Sequence, residues 1–169
     1  AVAMTSSIES GFGARLMVHG SLLYKQLTDF SSLPSVAGRM VANRVGPGKR
    51  PRSSMAPTMV VGSDGHLRVI LGSPGGPWII NYVAKTLVAL LDWGLDLKDA
   101  VDMANFGSRN GPTELETGHA DPGLVGELRH LGHVVVEADM SSGVAAVVRT
   151  PAGWVGVADP RREGKALGE

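Results

Sequence analysis

The sequence predicts an α+β fold, antiparallel sheet with helices layered on it. Three observations carry this. Short apolar runs rich in Val and Ile flank tight-turn residues at 58–71 and again at 133–157. An amphipathic stretch over 77–92 follows one such run directly. Asp96 and Asp121-Pro122 each open a further helical segment.

In chain order, residues 1–8 (AVAMTSSI) alternate in polarity and read as a half-buried strand. Phe12-Gly13 reads as a bend, and Arg15 to Leu23 has room for one or two short strands. From Gln26 to Pro57 the periodicity dissolves among Gly, Pro and Ser, and a stretch of that length inside a domain is more often functional than idle. It carries Arg39, Arg44, Lys49, Arg50 and Arg52 with no acid between the first and last, and the simplest reading is a solvated loop. Thr58–Val61 and His66–Leu71 around Asp64-Gly65 read as a hairpin. Pro77 suits the first position of the next helix and Gly94 its stop. Ile80, Val83, Ala84, Leu87, Leu90 and Leu91 share one face, with Asn81, Lys85 and Asp92 on the opposite stripe. Asp96 caps a helix from Leu97 to about Asn105, Thr113–Glu116 forms a short strand, and Asp121-Pro122 opens a helix that ends at Gly132. Three β runs follow, His133–Glu137, Gly143–Arg149 and Gly153–Val157, and the tail from Asp159 is polar.

Composition excludes several classes. Sixteen Lys+Arg balance sixteen Asp+Glu in 169 residues, which argues against a nucleic-acid binder held by bulk charge. There is no Cys, so no disulfide, thiolate nucleophile or zinc–thiolate site exists. The longest apolar stretch, Trp78 to Leu91, is interrupted by Asn81 and Lys85 and is too short for a membrane span. Glu127 and His130 are a single i,i+3 pair where carboxylate-bridged metal sites need two, and His119, Asp121 and His133 form no ligand spacing. No metal and no cofactor are expected. The chain opens without an initiator Met or a basic leader, and it starts inside a strand-like pattern, as a processed piece would.

Three segments offer chemistry. Gly72-Ser73-Pro74-Gly75-Gly76 joins a strand to a helix, where free N–H groups favour a phosphate, a carboxylate or a transient oxyanion; a purely structural turn is equally compatible. It matches neither a Walker loop nor G-x-G-x-x-G. Ser53-Ser54 could give two hydroxyls to one acceptor or serve only as turn residues. In Gln26-Leu27-Thr28-Asp29-Phe30, Asp29 could hold an ammonium group or initiate a turn.

Taken in order, Gln-x-x-Asp-Phe-Ser (26–31), Pro-x-Ser-Ser-Met-x-Pro-Thr (51–58), Gly-Ser-Pro-Gly-Gly (72–76) and Asp-Pro-Arg-Arg-x-Gly-x-Ala (159–166) resemble the small, C-terminal subunit of gamma-glutamyltransferases. The resemblance covers nearly the whole chain. It implies an N-terminal-nucleophile hydrolase, an αββα sandwich of two stacked sheets flanked by helices, with residues 1–169 as one small-subunit portion of a larger two-subunit enzyme. It also implies gamma-glutamyl transfer to amino acids, peptides or water from an N-terminal Thr whose hydroxyl attacks while its α-amine takes the proton. That Thr would precede Ala1. The N–H groups of Gly75 and Gly76 would form the oxyanion hole, Ser7 would support the nucleophile, Ser53 and Ser54 would bind the α-carboxylate, and Asp29 with Gln26 the α-ammonium. Glu9 falls in the substrate pocket where many relatives have Asn, Ser7 stands for Thr, Tyr24-Lys25 for Asn-Asn, and Pro77-Trp78 for small or polar residues and Arg. Glu9 motivates an alternative, a glutaryl- or cephalosporin-type amidase, and Ala1 a second, an inactive binding or structural fragment. The expected partners are the large subunit and a small gamma-glutamyl substrate, with homo-oligomerisation as the other way to cover an apolar face. Periplasm and cytoplasm stay equally open.

Overall fold

The structure, a computed structural model, describes residues 1–7, 16–22 and 26–168. The chain forms two compact units, residues 6–54 and residues 1–5 with 55–169.

The larger unit is built on a four-stranded antiparallel sheet. Its strands are β5 (Thr58–Val61), β6 (Leu67–Gly72), β10 (Ala145–Thr150) and β11 (Gly153–Ala158), in the order β11-β10-β6-β5. The Asp64-Gly65 signal closes the β5–β6 hairpin, with Gly65 at φ 77° supplying the left-handed turn position. Helix α1 (Ile79–Leu91) follows a 3-10 turn at Gly76–Trp78, and α2 (Leu97–Asp102) follows α1. Asp96 caps α2 by accepting the Asp99 N–H at 2.9 Å. The core lies between these helices and the sheet: Val69, Leu71, Val144 and Ala146 pack with Ile79, Tyr82, Val83, Leu97 and Val101.

A second sheet joins β7 (Phe106–Gly107), β8 (Thr113–Glu116) and β9 (Val135–Ala138). Here β7–β8 is antiparallel but β8–β9 is parallel. The crossover that a parallel pair requires is α3 (Pro122–His130), capped where Asp121 Oδ1 accepts the Gly123 N–H at 2.8 Å.

The smaller unit contains two antiparallel hairpins, β1 (Met17–Val18) with β2 (Ser21–Leu22), and β3 (Ser35–Val36) with β4 (Arg39–Met40). A 3-10 turn spans Gln26–Asp29. Loop 26–57 is therefore more ordered than its composition suggests.

Three expectations need correction. Residues 1–7 form no strand, although Ala3, Thr5 and Ser7 are partly buried and Val2, Met4 and Ser6 exposed as the alternation implied; alternation specifies faces, whereas a strand also needs a pairing partner. The buried stripe of α1 is rotated from the expected one: Ile79, Tyr82, Val83, Lys85, Thr86 and Ala89 are buried, while Ile80 and Leu91 are more than half exposed. The tail beginning at Asp159 is not simply a polar surface, because Asp159 is fully buried. Phe12-Gly13, Glu9 and Tyr24-Lys25 lie outside the described residues. Among the described residues no helix is long and apolar enough to cross a membrane.

Candidate active site

In the larger unit the strand-to-helix turn at 72–76 has an uncommon backbone. Gly75 sits at φ 137°, a region closed to side-chain-bearing residues, and Gly76 at φ 56°. A Cβ on Gly75 would stand 2.5 Å from Tyr82 Cε2, so the ring of Tyr82, one turn into α1, packs directly under the glycine. The carbonyls are engaged: the Trp78 N–H donates to Gly75 O at 3.1 Å and the Ile79 N–H to Gly76 O. The amides of Gly75 and Gly76 find no acceptor among the described residues. The turn thus presents two unpaired, partly exposed donors at the start of a helix, where the backbone dipole favours developing negative charge. Ser73, nearly fully buried, pins the turn by accepting the Gly143 N–H at 3.2 Å and donating to Pro74 O at 2.7 Å. The Arg109 guanidinium lies 5.1 Å from the centre of the Trp78 ring, just beyond the second glycine.

The other sequence-predicted residues belong to the smaller unit. Ser7 is partly buried. Gln26, exposed, and Asp29, partly buried, open and close the 3-10 turn. Ser53 is exposed and Ser54 partly buried. Sequence reasoning passed over Asn43, which links two of these segments. Its Nδ2 donates to the Asp29 carbonyl at 2.7 Å and its Oδ1 accepts the Arg52 N–H at 2.8 Å. Its own carbonyl accepts the Ser31 N–H at 2.8 Å. The side chains flagged for ammonium and carboxylate binding are thereby carried on segments tied to one amide.

A buried ionic cluster in the larger unit was also unforeseen. Arg161 donates to both oxygens of Glu116, at 2.5 and 2.9 Å, and to Asp159 Oδ1 at 3.2 Å. It also donates to the carbonyls of Val101, Asp102 and Met103 at the C-terminus of α2. Asp159 Oδ2 accepts from the Ser142 hydroxyl at 2.5 Å and the Val144 N–H at 3.3 Å. Burial alone would raise both carboxyls. The bonds from Arg161, with Asn105 N–H at Glu116 and Ser142 Oγ–H at Asp159, outweigh it and hold both below the ordinary carboxylate range. Lys85 reaches the same carbonyls, Met103 O at 2.6 Å and Val101 O at 3.4 Å. Burial, reinforced by the charge of Arg161, lowers its pKa to about 8. This explains why a lysine occupies the inner face of α1: the end of α2 leaves carbonyls that need donors. Asp159 and Arg161 stand in the Asp-Pro-Arg-Arg motif, which was the available signal.

Comparison with known proteins places this geometry. The family model described as Gamma-glutamyltranspeptidase matches residues 1–169. The chain belongs to the gamma-glutamyltranspeptidase family. The glutathione hydrolase proenzyme of Escherichia coli (strain K12) is 36% identical over 171 residues, covering 95% of this chain and 29% of the relative. That of Pseudomonas sp. (strain A14) is 34% identical over 188 residues, covering 99% of this chain and 32% of the relative. The chain thus spans about a third of the length of these curated relatives. The gamma-glutamyltranspeptidase of Pseudomonas nitroreducens complexed with L-DON superposes with a TM-score of 0.81 at 28% identity, covering 99% of this chain and 93% of that one. The fold is that of the N-terminal-nucleophile hydrolases, and the family is one of enzymes.

Proposed function

We propose that this chain is the small-subunit portion of an enzyme that transfers or hydrolyses gamma-glutamyl groups. The observation that supports it best is the pair of unpaired amides at Gly75 and Gly76, in a member of this family. The nucleophile in this reading is an N-terminal Thr that precedes residue 1 in the complete polypeptide. Its hydroxyl attacks the gamma-carbonyl of the substrate, its own α-amine accepts the proton, and the carbonyl oxygen becomes an oxyanion. The two glycine N–H groups receive that oxygen, each worth roughly 3–4 kcal/mol where such donors have been removed elsewhere. Collapse expels the amine and leaves an acyl-enzyme, which an amino acid, a peptide or water then resolves. Ser7 supports the nucleophile. Ser53 and Ser54 bind the α-carboxylate of the glutamyl group, and Asp29 with Gln26 its α-ammonium.

A large subunit from the same precursor is the proposed partner. Met59 and Val61 on edge strand β5, and Trp154 and Val155 on edge strand β11, are exposed apolar side chains that such a partner would cover.

The test uses the full-length precursor. Mass spectrometry is expected to show spontaneous splitting into two chains, the smaller starting at Thr a short distance before residue 1. The split protein is expected to hydrolyse L-gamma-glutamyl-p-nitroanilide faster in the presence of glycylglycine. An unsplit, inactive precursor would refute the reading, and a preference for glutaryl-p-nitroanilide would replace it with an acylase.

A further inference from the structure

In the smaller unit the Asn43 side chain bridges two of the segments that carry the candidate substrate-binding residues. We propose that Asn43 is a positioning residue that sets the spacing between the ammonium-binding and carboxylate-binding groups, and so enforces selection of an α-amino acid acyl group. The inference rests on the reading above.

The α-ammonium and α-carboxylate of an amino acid hang on one carbon, so the groups that receive them must keep a fixed separation. Asp29 and Ser53 are 24 positions apart in sequence and come from segments with little regular structure. Their backbones are fixed relative to each other through the Asn43 amide, which bonds Asp29 O at 2.7 Å and Arg52 N–H at 2.8 Å. The backbone of residue 43 adds the Ser31 N–H, and Ser31 also bridges Arg44. Residues 29 and 31, on both sides of Phe30, are therefore held from the same strip of chain as residue 52. The carbonyl of Asp29 and the amide of Arg52 are each at most one residue from the side chains proposed to hold substrate.

A side-chain amide suits this position. It offers a donor and an acceptor at once, matched to a carbonyl on one side and an N–H on the other. Aspartate has no donor for the Asp29 carbonyl and would add a negative charge close to it. Alanine leaves both backbone groups without their partner. Glutamine keeps the chemistry but adds a methylene. A misplacement of about 1 Å is enough to cost on the order of 100-fold where groups must be held in register.

The test compares the processed wild-type protein with Asn43→Ala, Asn43→Asp and Asn43→Gln. L-gamma-glutamyl-p-nitroanilide is set against glutaryl-p-nitroanilide, which lacks the α-ammonium. Asn43→Ala is expected to raise KM for the gamma-glutamyl substrate about tenfold with kcat changed less than about twofold, and preference over the glutaryl substrate falls by a similar factor. Asn43→Gln recovers part of the loss and Asn43→Asp does not. An equal fall in kcat for both substrates at unchanged KM would show a scaffold role only and overturn the proposal. Binding of L-glutamate, measured by calorimetry, separates the two readings and serves for any variant that fails to process. Wild type that binds L-glutamate without turnover, with weaker binding in Asn43→Gln, would refute the acyl-transfer reading and keep the clamp. Wild type that binds no L-glutamate would overturn both.

Discussion

Replacing Arg161 by Met would remove a guanidinium that engages two buried carboxylates and three carbonyls. The side chain it leaves fits the volume but not the charge. Glu116 keeps the Asn105 N–H, and Asp159 keeps Ser142 and Val144, yet both lose the only cation bonded to them among the described residues. Truncating one member of a buried ion pair typically costs roughly 3–5 kcal/mol, because the remaining charge stays desolvated. For a chain of this length each kcal/mol is worth roughly 2–4 °C, so the melting temperature should fall by roughly 6–20 °C. The pH dependence has a defined sign. Both carboxyls are held below their ordinary range, so their stabilisation is complete above that range and is lost as pH falls through the folded-state values. The gap between wild type and variant should therefore narrow on acidification. Adding Glu116→Gln to Arg161→Met should recover part of the loss at neutral pH by removing one stranded charge. Melting followed by circular dichroism at several pH values reads all three quantities. A variant melting within about 2 °C of wild type at neutral pH, or a gap that widens in acid, would refute this account.

Other outcomes follow from the same structure. Gly75→Ala forces a Cβ to within 2.5 Å of Tyr82 at φ 137°; it should lower kcat on L-gamma-glutamyl-p-nitroanilide by on the order of 100-fold, and Tyr82→Leu in the same chain should not restore it because the backbone strain persists. Lys85 titrates near 8 when folded, below its unfolded value, so folding releases protons between those pH values and stability rises there; Lys85→Met should abolish that alkaline rise in denaturant melts. Asp96→Ala removes the α2 cap and should cost about 1 kcal/mol in the same assay. Arg109→Ala should change stability by no more than about 1 kcal/mol, since its stacking on Trp78 is exposed.

Elements specified by neighbours in sequence were legible. The Asp64-Gly65 hairpin, helix α1 and the caps at Asp96 and Asp121 all depend on residues within a few positions of each other. Elements specified by distant partners were not. The parallel pairing of β8 with β9 leaves no local pattern, because either strand reads the same whichever way its neighbour runs. Lys85 was assigned to solvent because charge predicts exposure, and only the carbonyls of Val101 and Met103, on another helix, reverse that. In the candidate site, the turn at Gly75 and Gly76 was legible as a join between strand and helix, and both glycines do take positive φ there. Asn43 was not, since its partners lie 14 residues before it and 9 after it, and an Asn in a polar loop carries no signal of its own.

The position of Arg161 in the chain has a consequence during synthesis. Glu116 emerges 45 residues before it and the Val101 carbonyl 60 residues before it. At roughly 5–20 residues per second, those groups wait several seconds for their counter-ion. Until then the α2–β8 region must keep its carboxylate hydrated, which opposes early burial. Closing this part of the interior therefore depends on a guanidinium made 45 residues after the carboxylate it neutralises.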